Sequence, residues 1–111
     1  MSNQRIFKAE VLEVIDGDTI WVRGCDFGTE VKIRLFDLDC AEIYTRKGLN
    51  AKNFVIDLLQ KHNNIVYVQY DYSRQVDSYD RRMGYIYLDK DGTECLSDII
   101  IEHGYGKVYN K

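Results

Sequence analysis

Several features that commonly identify a function are missing from this sequence. Its 111 residues include no proline, no internal repeat and no low-complexity tract. No stretch approaches the roughly 18 uninterrupted apolar residues that a membrane-spanning helix requires, so we expect no membrane partner. The opening segment has no apolar core of signal-peptide length. This indicates either a protein that stays inside the cell or a leader that was removed before Met1.

Paired cysteines and an excess of positive charge are also absent. Cys25, Cys40 and Cys95 form no Cys-x-x-Cys pair, which argues against a disulfide framework and a structural zinc site. This pattern favours a reducing compartment such as the cytoplasm, although a secreted mature form stays open. The net charge of −3 argues against strong non-specific binding to long stretches of phosphate backbone. It leaves room for a local basic pocket.

The hydrophobic pattern predicts one globular domain over residues 1–111. Apolar residues make up 45% and charged residues 30%, as in ordinary folded proteins, and the length suits a single core. Alternating and β-rich runs predict five strands, and apolar residues at helical spacing predict a main helix after the third strand and a short C-terminal helix. The predicted strands span 6–15, 19–25, 31–39, 64–72 and 82–89, and the predicted helices span 49–61 and 98–103.

This order of elements predicts an all-β core with added helices. The first three strands form an antiparallel meander, and a five-stranded barrel of the oligonucleotide/oligosaccharide-binding (OB) type fits the length. Ser97 is the expected N-cap of the short helix, and Gly104 is the expected residue just past its end.

Acidic residues occur at two places that this fold would bring together. The segment 16–18, Asp-Gly-Asp, is a common turn signal between two apolar runs. Asp39 and Glu42 stand where the third predicted strand gives way to a loop. If the second and third strands pair, Asp18 lies beside Asp39, and such crowded carboxylates need a cation. Oxygen ligands without histidine or cysteine pairs favour calcium or magnesium over zinc.

Three arginines could act together with these carboxylates. Arg34 alternates with apolar residues, so its guanidinium must leave the strand on the face opposite the core. Arg81 and Arg82 stand in a predicted turn next to Tyr79. A pair of arginines facing a hard cation would clamp a phosphate. Each has a non-functional alternative: Arg34 could be a solvent-facing strand residue, and Arg81 and Arg82 could belong to a charged turn.

Five motifs in fixed order carry a resemblance to a known family: "VIDGDT", "KIRLFDLDCAE", "GLNA", "DSYDRRMGYIYL" and "IIIEHGYGKVY". From about residue 9 to the end, the chain resembles the thermonuclease, or staphylococcal-nuclease-like, family. The resemblance implies an OB-type five-stranded barrel with helices packed on it. It also implies hydrolysis of phosphodiester bonds in DNA and RNA, with calcium as the cofactor and nucleic acid as the partner.

The resemblance also implies a metal site. Asp18 and Asp39 would ligate calcium, and the main-chain carbonyl of Cys40 would be a further ligand. Thr19 would support the site by contacting these ligands and not by binding the metal itself. Asp16 would serve mainly the turn.

The same resemblance assigns the groups that act on the substrate. Glu42 would orient or deprotonate the attacking water, and Arg34 and Arg81 would hold the scissile phosphate. Tyr79 would lie against the nucleotide. No obligate protein partner is indicated.

Two positions depart from the family pattern. Ala41 stands where the family usually has proline, which predicts a less rigid loop before the glutamate. Asp80 stands where a glycine normally precedes the phosphate-binding arginine, and it adds a negative charge beside the site. Arg81 and Arg82 are alternatives for that arginine, and the spacing to the following Met-Gly-Tyr favours Arg81. With the acidic balance, these departures predict weaker substrate binding than in basic relatives.

The alternative function is a non-catalytic OB-type module that binds single-stranded nucleic acid. Tyrosines on predicted strands would supply a stacking surface, although strand tyrosines are also good β-formers that pack their rings. The candidates are Tyr67, Tyr70, Tyr72, Tyr85 and Tyr87. A pure binding module has no need for Asp18, Asp39 and Glu42 together.

Overall fold

The computed structural model describes residues 4–25, 28–36, 38–42, 44–71 and 81–108. Its elements in chain order are β1 (Gln4–Asp16), β2 (Thr19–Gly24), β3 (Glu30–Leu35), β4 (Leu38–Asp39), α1 (Arg46–Lys61), β5 (Ile65–Asp71), β6 (Arg81–Tyr87), α2 (Leu96–Glu102) and β7 (Lys107–Val108).

Five strands close into a barrel in the order β1-β2-β3-β6-β5. Neighbouring strands are antiparallel except β3 and β6, which pair in parallel. A parallel pair needs a long crossover, which here passes through α1 and β5. The closed five-stranded barrel with two helices confirms the predicted fold class and the antiparallel meander of the first three strands.

The core fills the barrel and the space under both helices. Strand residues alternate between this core and the outer surface, and α1 turns one stripe of its surface inward. The fully buried core side chains include Ile20, Val22, Ile33, Leu35, Val66, Val68 and Ile86 from the barrel and Val55, Leu59, Leu96 and Ile100 from the helices. The barrel rim next to β4 is therefore a rigid support for polar side chains.

The prediction of one continuous strand over residues 31–39 is wrong. β3 ends at Leu35, and the N–H of Phe36 donates to the carbonyl of Gly84 at 2.9 Å. The chain then turns and forms the two-residue β4, which pairs with β7 instead of with the barrel. Asp39 therefore belongs to a separate two-stranded sheet and not to the barrel.

Both helix starts also differ from the predictions. Thr45 caps α1, and its Oγ1 accepts a hydrogen bond from the Gly48 N–H at 3.0 Å, so the helix begins before residue 49. Cys95, rather than Ser97, is the N-cap of α2. A hydrogen bond from the Leu88 N–H to the Glu94 carbonyl leads the chain directly into this helix, which places Ser97 inside it.

The end of α2 agrees with the sequence prediction. Gly104 follows the helix with a φ of +81°, a conformation that glycine adopts without strain. Among the described ranges, the structure has no helix that is long and apolar enough to cross a membrane.

Candidate active site

The turn between β1 and β2 brings Asp18 to the rim of the barrel. Asp16 pairs with Thr19, which leaves Gly17 and Asp18 as a two-residue loop. The N–H of Asp18 donates to Oδ1 of Asp16 at 3.2 Å, so Asp16 stabilises the turn. A Cβ on Gly17 would lie 2.9 Å from Sγ of Cys40. This close approach holds the turn against the loop that follows β4.

Asp18 is a buried carboxylate, with only 7% of its surface exposed. Its Oδ2 accepts a hydrogen bond from the Cys40 N–H at 3.0 Å, and its Oδ1 accepts one from Thr19 Oγ1 at 3.3 Å. Burial raises the pKa of Asp18 to about 7, although the Cys40 N–H and the charge of Arg34 act in the opposite direction. The negative charge of Asp18 is therefore only partly compensated.

Arg34 connects β3 to the loop that carries the other carboxylates. Its Nη1 donates to the carbonyl of Leu35 at 2.9 Å and also to the carbonyl of Leu38. Its Nη2 lies 3.6 Å from Oδ2 of Asp18 and 3.8 Å from Oδ1 of Asp39. One side of the guanidinium thus fastens the loop, and the other side faces the two carboxylates.

A polar cavity of about 420 Å³ opens at this point. It is lined by Asp16, Asp18, Arg34, Asp39, Cys40, Ala41 and Glu42. The structure therefore brings together the metal-ligand candidates, one phosphate-binding candidate and the candidate base. Thr19 is buried beside Asp18, and its Oγ1 donates a hydrogen bond to Oδ1 of Asp18.

The remaining candidates are described only in part. Tyr79 and Asp80 lie outside the described residues. Arg81 is the first residue of β6, not part of a turn, and its backbone pairs with Lys32. Arg82 shares its strand alternation with Gly84 and Ile86, both of which are buried. The choice of Arg81 over Arg82 as the second phosphate-binding residue stays a prediction.

The backbone of Glu42 is held by the start of α1. Its carbonyl accepts hydrogen bonds from the N–H of Thr45 at 3.0 Å and from Oγ1 of Thr45 at 2.6 Å. A Cβ on Gly48 would overlap this same carbonyl and would lie 2.7 Å from the carbonyl oxygen of Ala41. Gly48 is therefore required because helix and loop backbones touch. The sequence indicated Gly48 only as part of a motif, and the loop contact explains it.

We expect Gly48→Ala to destabilise the fold, although glycine-to-alanine changes inside helices usually stabilise by about 1 kcal/mol. The added methyl group must push residues 41–42 away from α1, and overpacking of this kind typically costs about 1–3 kcal/mol. Urea denaturation measures the change in the free energy of unfolding. The control is Asn53→Ala at an exposed position of the same helix, which should be neutral or stabilising. Equal stability of Gly48→Ala and the wild type would contradict the close contact.

The residues present fit a hard divalent cation. Among the described residues, no group of three or more His, Cys, Asp or Glu side chains converges as a preformed metal site. Asp18 and Asp39 nevertheless both approach Nη2 of Arg34, and a cation would relieve the partly compensated charge of Asp18. Carboxylate and carbonyl oxygens suit calcium or magnesium, whose remaining ligands are commonly water or substrate oxygens.

Cys40 would contribute its carbonyl oxygen, not its sulfur. Burial, and then the negative charge of Asp18, raise the pKa of the Cys40 thiol to about 12. The thiol is therefore protonated at neutral pH without a metal, and hard cations such as calcium and magnesium prefer oxygen to sulfur ligands. This leaves an all-oxygen donor set.

Comparison with known proteins supports the family assignment from the motifs. A search of curated proteins gives no match. The family described as staphylococcal nuclease homologue matches residues 32–111, which is more than half of the chain and includes Arg34, Asp39, Glu42 and α1. Such a domain is a nuclease-type or nucleic-acid-binding module. The barrel, the polar cavity at its rim and this match together show that the chain belongs to the staphylococcal nuclease homologue family.

Proposed function

We propose that the protein is a calcium-dependent nuclease that hydrolyses phosphodiester bonds in DNA, RNA or both. The observation that carries this proposal is the shared cavity, in which Arg34 faces Asp18 and Asp39 and which Glu42 also lines. A module that only binds an anionic strand gains nothing from carboxylates beside its phosphate-binding arginine, because they repel the strand. A hydrolase needs them to hold a cation and to activate water.

Arg34 would bind the phosphate of the scissile bond. Attack on a phosphodiester places additional negative charge on its non-bridging oxygens, and a fixed guanidinium stabilises that charge. Arginine suits this role because its planar fork stays protonated and matches phosphate geometry. Nη1 donates to the carbonyls of Leu35 and Leu38, whereas Nη2 faces Asp18 and Asp39 and would contact the phosphate. Arg81 would bind a second phosphate oxygen, and Tyr79 would contact the nucleotide.

Glu42 would accept the proton of the attacking water. Its carbonyl is fixed by Thr45 while its side chain lines the cavity, so the carboxylate can approach a water beside the phosphate. Asp18, Asp39 and the Cys40 carbonyl would hold calcium. When bound there, calcium neutralises a non-bridging phosphate oxygen and positions the water. Thr19 keeps Asp18 in place through its hydroxyl.

An inactive module that binds single-stranded nucleic acid is the second candidate. One observation favours it: Phe36, Tyr85 and Tyr87 form a row of rings on the outer surface beside β6. The ring centroids are 5.8 Å apart for Phe36 and Tyr85 and 6.4 Å apart for Tyr85 and Tyr87. Bases can stack on such rings. A function that uses only these rings gives the carboxylates of the cavity no role. We therefore place this function second.

A cleavage assay with controlled metal content tests the proposal. The purified protein is incubated with single-stranded DNA, double-stranded DNA and RNA, each with calcium, with magnesium and with excess chelator. We expect cleavage with calcium and none with chelator, because Asp18 and Asp39 cannot position a phosphate oxygen without a cation. Absence of cleavage in every condition, with metal-independent binding of single strands, would establish the second candidate instead.

A further inference from the structure

A second cavity lies on the other side of the loop that carries Asp39. Its volume is about 590 Å³, and its walls come from the loop, from the first turns of α1 and from the segment that follows α2. The two cavities share Asp39, Cys40 and Ala41 as a common wall. A strand bound in the first cavity can therefore continue into the second across this wall.

The charges of the two cavities are opposite. Asp39 lines both cavities; the first also contains Asp16, Asp18, Glu42 and Arg34, whereas the second also contains Lys47 and Lys107. Lys47 belongs to the first turn of α1. The backbone of Lys107 in β7 pairs with the backbone of Asp39 in β4. In the described part of the chain, neither lysine forms a salt bridge with a carboxylate. Two ammonium groups around one cavity provide a site for an anion.

Two further residues would suit a nucleoside next to that anion. The ring of Tyr105 stacks on Phe54, with centroids 4.6 Å apart and an interplanar angle of 21°, so its orientation is fixed. Asn50 lines the same cavity and offers an amide that can donate and accept hydrogen bonds.

We propose that this second cavity binds the phosphodiester that flanks the scissile one, through Lys47 and Lys107. The occupant is the substrate strand itself, since the cavity contains two lysines and adjoins the cavity of Arg34 and Glu42 along a shared wall. The inference rests on the proposed function for the position of the scissile phosphate. It explains how an acidic protein, with a net charge of −3, can bind an anionic strand locally.

The test measures binding of a fluorescein-labelled single-stranded DNA oligonucleotide by anisotropy, in the Glu42→Gln background so that the strand stays intact. Lys47→Gln and Lys107→Gln are each expected to weaken binding about fivefold at 0.1 M salt. Each should also reduce the slope of log K against log salt concentration by about 0.7. Lys61→Gln is the matched control, since it removes one lysine about 21 Å away at the other end of α1 and should leave binding unchanged.

An oligonucleotide with uncharged methylphosphonate linkages beside a single cleavable linkage gives a second readout. On this strand the lysine variants and the wild type should bind equally, because the flanking charge is already absent. A fivefold effect that persists there would overturn the proposal. So would lysine variants that bind the natural strand as tightly as Lys61→Gln does.

The outcomes separate this inference from the proposed function. Calcium-dependent cleavage with no effect of the two lysines would leave the nuclease standing and remove the second subsite. Lysine-dependent binding without cleavage by the protein with its natural Glu42 would leave the subsite standing and remove the nuclease. Failure of the protein to bind strands, together with no cleavage of any substrate, would overturn both.

Discussion

Arg34→Ala is expected to reduce the rate of phosphodiester cleavage by about 10²–10³-fold, equivalent to about 2.7–4 kcal/mol of transition-state stabilisation. The loss arises because Nη2 faces the cavity between Asp18 and Asp39, where the charge of the transition state would develop. Cleavage rates under single-turnover conditions with calcium measure this directly. A loss below tenfold would contradict the role of Arg34 on the phosphate.

The same variant should also be less stable, and this needs its own measurement. Arg34 donates to the carbonyls of Leu35 and Leu38, and it is the cation beside the buried Asp18. Leaving buried acceptors without a donor costs about 1–3 kcal/mol. We expect a loss of this size in urea denaturation, with a folded population that still suffices for the cleavage assay.

Two further variants separate the catalytic loss from the structural one. Arg34→Lys keeps the positive charge but lacks the planar fork, so one ammonium cannot hold the loop carbonyls and a phosphate together. It should recover part of the stability and little of the activity. Arg23→Ala removes an exposed arginine that pairs with Glu10 on the barrel surface, and it should change cleavage by less than twofold.

The fold could be predicted from the sequence because its main signals are local. The alternation of apolar residues in β3 fixed which face Arg34 uses, and the buried Ile33 and Leu35 agree with it. The helical spacing of Ala51, Val55 and Leu59 predicted the buried stripe of α1. Such patterns depend only on neighbours in the chain.

The parts that could not be predicted depend on contacts between distant segments. β4 and β7 contain two residues each, which is too short to show any periodicity, yet their pairing positions Asp39. The contact of Gly48 with the Glu42 carbonyl joins two segments whose approach no local pattern encodes. The overlooked signal was Thr45, whose hydroxyl caps α1 and would have moved the predicted helix start towards the loop.

The candidate site, like the fold, could be predicted from the sequence only in part. The motif order placed Asp18, Asp39 and Glu42 in one site, and the cavity at the barrel rim contains all three. Lys47 lies outside the five motifs and Lys107 has no assigned role within the fifth, because a lysine on a helix start or strand usually faces solvent. Only the return of the chain after α2 brings them to one cavity.

Glu42→Gln is expected to lower cleavage by about 10²–10⁴-fold, which is the usual contribution of a general base. Glutamine has nearly the same shape and can still hydrogen-bond to water, but it cannot take up the proton that the attacking water must lose. Single-turnover cleavage rates of the variant and the wild type with calcium present check this loss.

Stability serves as the internal control for this variant. The contacts of Glu42 with Thr45 pass through its main-chain carbonyl, so a side-chain change should alter the free energy of unfolding by no more than about 0.5 kcal/mol. Glu13→Gln, at an exposed position of β1, removes the same charge and should retain full activity. If Glu42→Gln keeps cleavage within tenfold of the wild type, another group activates the water. Because the variant is folded and the cation ligands are intact, such a result would bear on the identity of the base alone.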